Sequence, residues 1–261
     1  MNDALISFHD VGKLYRNGTI ALAHVDLAIR AGEFLTLLGP SGCGKSTALR
    51  LIAGLEKASS GQVERVLPHK PGTIGFVFQE PTLMPWARIH ENVLLPLRLQ
   101  KVPAREARQR VAEVLALVGL EEFGKAYPRE LSGGMRMRVS IARALALRPA
   151  LLLMDEPFAA LDEITRFRLN DDLLRLKKEL ATTIAFVTHS VYESVYLSTR
   201  IMVMAARPGR IVEEIVIDPA LPRDQDARAS VSYMDYCRRA SRALAGAAAE
   251  LPPQAEGSKT P

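Results

Sequence analysis

The feature of this 261-residue chain that most restricts its fold is the run Gly39-Pro40-Ser41-Gly42-Cys43-Gly44-Lys45-Ser46, which fits G-x-x-x-x-G-K-[ST]. It follows the apolar stretch Phe34-Leu35-Thr36-Leu37-Leu38 and precedes a helical pattern from Lys45 to about Gly54. That strand–loop–helix order is the context in which the motif carries meaning. A strand apolar at almost every position must be covered on both faces, which points to a parallel sheet flanked by helices. Glycines let the loop curl so that successive N–H groups face a phosphate chain, and the helix N-terminus adds partial positive charge. Gly39, Ser41, Gly42, Cys43 and Gly44 are therefore candidates to surround phosphates. Lys45 should reach the β- and γ-phosphates, Ser46 should offer a hydroxyl to Mg²⁺, and Thr47 should lie on the phosphate side. The ligand expected is ATP with Mg²⁺.

The remaining pattern agrees with an α/β chain. Ile6–Leu14 and Leu22–Ile29 alternate like strands, and Ile74–Phe78, Leu151–Met154, Thr183–Thr188 and Ile201–Met204 are short apolar strands. Helical spacing places Val111, Val114, Leu115 and Val118 on one face after Pro103. A second helix should run from Gly133 to about Ala146, and a third should carry Leu169, Leu173, Leu176 and Leu180. Three prolines, Pro81, Pro85 and Pro96, predict an irregular Glu80–Leu99 with short helical pieces. Early strands, a helical block and then strand–helix–strand units imply a parallel-sheet core with a helical subdomain set into it. From about Ala243 the chain is rich in Ala and Pro and is expected to be frayed.

Composition narrows the class. Apolar residues make up 48%, enough for a packed core, and with two cysteines, Cys43 and Cys237, no disulfide framework is expected. The net charge of +5 is small, and no Lys/Arg cluster alternates with aromatics. It fits an anionic membrane surface better than nucleic acid, and no nucleic-acid partner is expected. Met1 to Phe8 lacks the pattern of a signal peptide, and no stretch approaches the ~18 apolar residues of a membrane-spanning helix. A transport role would need a separate membrane partner.

Leu151-Leu152-Leu153-Met154 ends in Asp155-Glu156. Two adjacent acids at the end of a buried strand are costly unless a cation or strong donors compensate them. Mg²⁺ with ATP is the natural cation. Asp155 would hold the metal, directly or through water, and Glu156 would polarise the attacking water.

Leu131-Ser132-Gly133-Gly134-Met135 resembles the LSGGQ signature of the ATP-binding cassette (ABC) ATPases, and residues 131–145 look like the family's signature helix. The other family elements occur in order. Tyr15 sits where the family places an aromatic that stacks on adenine, with a core tyrosine as the alternative. Gln79 is similar to the Q-loop glutamine that senses the γ-phosphate and Mg²⁺, Ala160-Leu161-Asp162 to the D-loop, and His189 to the switch histidine. The resemblance covers roughly residues 5–215. It implies a P-loop NTPase fold with a RecA-like core, an antiparallel β-subdomain and a helical subdomain inserted at about 82–145. The cassette would occupy 1–218 and a C-terminal extension 219–261.

It also implies a catalytic set of Lys45, Gln79, Glu156 and His189, and metal contacts from Ser46, Gln79 and Asp155. Ser132, Gly133, Gly134 and Asp162 would serve the nucleotide of a second copy in a head-to-tail dimer with two ATP between subunits. A peripheral ATPase at the cytoplasmic face of the inner membrane follows, working with a permease and indirectly with an external solute-binding protein.

Within the family the match is closest to the nitrate/sulfonate/taurine importers, a group that also takes up pyrimidine-type vitamin precursors. It rests on Pro81-Thr82-Leu83-Met84-Pro85-Trp86, Glu91-Asn92-Val93, Asp155-Glu156-Pro157-Phe158 and Arg207-Pro208-Gly209-Arg210-Ile211. Met135, Met137, Ala159 and Ser190 depart from the usual residues, and none removes a group needed for hydrolysis. Soluble ABC ATPases that act on nucleic acid or the ribosome usually carry two cassettes or a long coiled-coil insertion. Export ATPases are more often fused to a membrane domain. Trp86 has two readings, a permease-docking residue or a plug in the helical core.

Overall fold

The computed structural model describes residues 4–68, 70, 72–224 and 226–249. Two sheets share the work of the core. Strands β1 (Ala4–Leu14), β2 (Ile20–Arg30) and β4 (Ser60–Arg65) form an antiparallel sheet in the order β2-β1-β4. The second sheet contains β3 (Phe34–Leu38), β5 (Ile74–Val77), β6 (Leu151–Asp155), β7 (Thr183–Thr188), β8 (Arg200–Ala205) and β9 (Arg210–Val216). Its order is β5-β6-β7-β3-β8-β9, parallel except for β9.

The continuous apolar runs follow from this arrangement, because neighbours in a strand feed opposite cores. Leu35, Leu37, Leu151 and Leu153 pack towards the antiparallel sheet and helix α1 (Lys45–Ala53). Phe34, Leu38, Leu152 and Met154 pack into a second core with the remaining helices. These are α2 (Ile89–Leu99), α3 (Ala104–Leu117), α4 (Gly133–Leu145), α5 (Glu163–Leu180), α6 (Val191–Leu197) and α7 (Val231–Ala249). Helices α2, α3 and α4 pack on one another as an inserted block between β5 and β6.

Two local expectations change. The proline-bearing segment 80–99 is irregular only to Arg88, and α2 then runs unbroken through Pro96. Pro96 lies in the last turn, so the helix loses one bond, while Glu91 accepts from the Arg88 N–H at 2.9 Å and secures its start. The stretch from Ala243 is helical as far as Ala249. Ser230 accepts from the Tyr233 N–H, and Tyr233, Cys237, Ala240 and Ala247 form a buried stripe. The Gly-Ser-Lys-Thr-Pro end lies outside the described residues. Strands β4 and β9 and helix α6 were not legible in the sequence, because β4 and β9 carry mixed polar residues and α6 is only seven residues long. No helix among the described residues is long and apolar enough to cross a membrane.

Candidate functional site

Parallel strands put their C-terminal ends along one edge, and the candidate residues gather there. Leu38 is level with Thr188 across β3 and β7, Asp155 with Val187 across β6 and β7, and Val77 with Met154 across β5 and β6. The loop after β3, the acidic pair ending β6, His189 after β7 and Gln79 after β5 therefore share one rim.

The 39–46 loop wraps the start of α1. Gly44 has φ +89°, and an added Cβ there would lie 2.6 Å from the Ala21 carbonyl and from Leu22, so the loop can seat on β2 only with glycine. Lys45 is buried, and its ammonium donates to the carbonyls of Gly39 at 2.8 Å and Pro40 at 2.9 Å. It also lies 3.3 Å from Glu156 Oε1. Ser41 and Gly42 are exposed on the outer side, while Cys43 is fully buried with its thiol pushed up by burial. That places Cys43 as packing under the loop. The first-turn N–H groups of α1 have no intrahelical acceptor and face this rim.

Ser46 Oγ donates to Asp155 Oδ1 at 2.8 Å. Burial pushes the Asp155 carboxyl up; the Ser46 hydrogen bond opposes this and the neighbouring Glu156 charge adds to it. A carboxylate short of compensation beside a hydroxyl oxygen suits a hard cation, so these residues fit Mg²⁺. Glu156 adopts φ +45°, and its N–H donates to the Val187 carbonyl at 3.0 Å. That turns its side chain away from Asp155's partner and towards His189, whose Nδ1 lies 3.1 Å from Glu156 Oε2. Glu156 thus stands between an ion pair with Lys45 and a hydrogen bond with His189, one through each carboxylate oxygen, and the His189 side chain is half exposed.

Tyr15 is half-buried at the side of α1. Its hydroxyl is 3.2 Å from Thr47 Oγ1 and donates to Glu56 at 3.1 Å, and the Lys13 ammonium sits 5.1 Å above the ring. The hydroxyl bonds thus tether the ring beside α1, next to the phosphate loop. Gln79 is exposed two residues past β5. The 132–134 segment stands apart. Ser132 caps α4 by accepting from Met135 N–H at 3.3 Å, and an added Cβ on Gly134 would lie 2.6 Å from Thr165 on α5. Asp162 caps α5 by accepting from the Thr165 N–H at 2.9 Å. Among the described residues, no hydrogen bond or ion pair links 132–134 or Asp162 to residues 39–47 of the same chain.

Two residues that support the site escaped the sequence reading of roles. Arg143 on α4 donates to the Pro81 and Thr82 carbonyls and to Thr82 Oγ1, tying the signature helix to the segment after Gln79. Asn92, fully buried, accepts from Met84 N–H at 2.8 Å and donates to the Met84, Ala87 and Arg88 carbonyls. It folds the 84–88 loop onto α2 so that Trp86 stands out, 77% exposed. The core-plug reading of Trp86 is thereby excluded.

The ABC transporter family profile matches residues 22–159, from the second strand through the acidic pair. The chain belongs to the ABC transporter family. An aliphatic sulfonates import ATP-binding protein of Pseudomonas syringae pv. syringae is 44% identical over 225 residues, covering 86% of this chain and 91% of that protein. An uncharacterized ABC transporter ATP-binding protein of Methanocaldococcus jannaschii is 47% identical over 228 residues, covering 85% and 84%. Among solved structures, CbiO1 of Clostridium perfringens, described as part of an ABC transporter complex, superposes with a TM-score of 0.74 at 30% identity, covering 81% of this chain and 88% of that one. A dimeric ATP-binding cassette in a post-hydrolysis state, bound to ADP and Pi, gives 0.71 at 35% identity, covering 82% and 99%. This ABC subunit binds and hydrolyses ATP, and the fold is that of an ABC ATPase cassette.

Proposed function

We propose that this ABC ATPase energises uptake of a small organic anion of the sulfonate class through a separate permease. The observation that carries the catalytic part is the convergence on Glu156 of Lys45, 3.3 Å from one carboxylate oxygen, and His189, 3.1 Å from the other, at the mouth of the phosphate loop. Lys45 exchanges its loop carbonyls for phosphate oxygens when ATP enters. Glu156, released from Lys45, takes the proton side of the attacking water, and His189 orients it. The loop N–H groups from Ser41 to Thr47 hold the phosphate chain. Mg²⁺ would enter with the nucleotide and neutralise phosphate charge, held by Ser46 and Asp155 with Gln79 facing it. Ser132, Gly133, Gly134 and Asp162 serve the nucleotide of a second copy. The sulfonate assignment is supported by relatives named as sulfonate import proteins at 41% to 45% identity. The subunit would sit peripherally on the cytoplasmic membrane face, and a solute-binding protein would act through the permease.

Tyr15 stacks on the adenine in this reading. Base–aromatic stacking is worth ~1 to 3 kcal/mol. Tyr15→Ala should therefore weaken ATP binding about tenfold or more, and Tyr15→Trp should largely preserve it. Equal nucleotide affinities in a titration of the three proteins would return Tyr15 to a packing role.

The permease should seat against the 83–86 loop. An exposed tryptophan beside half-buried Leu83 and Met84 is an adaptable apolar surface of the kind that receives a partner helix. Trp86→Ala with Met84→Ala should leave Tm and basal ATPase near wild type, yet abolish co-purification with the permease and uptake of a labelled alkanesulfonate. Intact assembly and uptake would remove the docking assignment. Uptake of another solute in place of the sulfonate would remove the cargo assignment alone.

A further inference from the structure

The C-terminal extension packs on one helix of the cassette, α6, whose cap residue Ser190 follows His189. Helix α6 has seven residues, too few to hold its own position. At its start, Ser190 accepts from the Glu193 N–H, and the Thr188 hydroxyl donates to the buried Glu193 carboxylate at 2.5 Å. These bonds fix the backbone on either side of His189. Helix α6 packs on β3, α5 and β7 of the cassette, with Glu193 paired to Arg166 of α5 at 3.4 Å, and further contacts come from beyond residue 218. The Tyr233 hydroxyl donates to the Tyr192 carbonyl at 2.9 Å. The Arg223 guanidinium donates to the Tyr196 and Ser198 carbonyls at the helix end. The Arg228 guanidinium lies 4.1 Å from the Phe167 ring centre and 4.2 Å from that of Tyr196, and pairs with Asp171 at 3.2 Å. Asp171 also accepts from the Tyr196 hydroxyl at 2.6 Å.

We propose that Arg223, Arg228 and Tyr233 are positioning residues for hydrolysis: they clamp α6 against α5 so that His189 stays on Glu156. This rests on the catalytic reading of His189 and Glu156 given above. None of the three touches the nucleotide rim. A planar cation between two rings bonded to one carboxylate has a defined position along α6, and a flexible ammonium cannot reproduce it. Loosening the clamp lets α6 and its first residues shift, which lengthens the His189–Glu156 contact without disturbing the phosphate loop. The clamp thus acts on kcat and leaves nucleotide affinity alone.

The test uses full-length protein with Arg228→Ala, Arg228→Lys and Tyr233→Phe, each alone and combined with His189→Ala. Arg228→Ala should lower kcat about tenfold with the KM for ATP within about twofold, as for a group acting only on the chemical step. Arg228→Lys should be similarly slow, and millimolar ethylguanidine should restore Arg228→Ala. Tyr233→Phe, which deletes one hydroxyl, keeps the proposal testable if Arg228→Ala does not fold, and should show a smaller loss of the same kind. In the His189→Ala background, where kcat is already low, neither change should cost more. A folded Arg228→Ala or Tyr233→Phe with normal kcat, or an equal loss with and without His189, would overturn the clamp while the catalytic reading stands. Normal turnover in His189→Ala itself would overturn both.

Discussion

Glu156→Gln should bind ATP with near-normal affinity and turn it over about a thousandfold more slowly, the scale for losing a water-positioning base. The geometry makes this substitution informative. Glutamine has the size of glutamate and can keep one hydrogen bond to His189, so the φ +45° backbone and the bond from Glu156 N–H to Val187 need not move. What disappears is the charge that accepts the proton. The same change removes a like-charged neighbour that helps to raise the Asp155 carboxyl, so nucleotide retention should not suffer. Lys45→Ala is the contrasting case. Its ammonium is the buried cation of the loop, and its loss should abolish both tight ATP binding and hydrolysis. A nucleotide titration run beside a steady-state ATPase assay separates the two. Fast turnover by Glu156→Gln would remove Glu156 from the role of base.

The second large effect concerns assembly. Ser132 is an exposed cap at the start of α4, and the glycines behind it pack on Leu161 and Thr165 of their own chain. A glycine-rich helix start so exposed, with no hydrogen bond or ion pair to its own 39–47 loop, is free to meet the nucleotide of a second copy. In the Glu156→Gln background, ATP should convert the protein to a dimer by size-exclusion chromatography. Adding Ser132→Arg should leave a monomer that still binds ATP, because the guanidinium would take the space meant for the γ-phosphate. Hydrolysis by Ser132→Arg in the otherwise native chain should fall to background. A dimer with normal turnover would rule out the two-nucleotide sandwich.

The order of residues alone carries the fold class and the sheet edge at which the candidate residues meet. Phe34–Leu38, Leu151–Met154 and Thr183–Thr188 are apolar at nearly every position, and only a sheet covered on both faces accommodates that. The phosphate loop, the acidic pair and His189 each follow such a strand, so their placement on one rim was written in the order of residues. Local chemistry of this kind is legible because the interactions that define it lie within a few residues. Tertiary structure decided the rest. That Glu156 bridges Lys45 and His189, 111 and 33 residues away, depends on strand order and a left-handed backbone turn. Trp86 is displayed only because a buried Asn92 takes up the carbonyls beneath it. Helix α6 is held by β3, α5, β7 and the extension together, none of them its neighbour along the chain except β7. Such contacts join distant segments through directional hydrogen bonds, and neither composition nor periodicity records them.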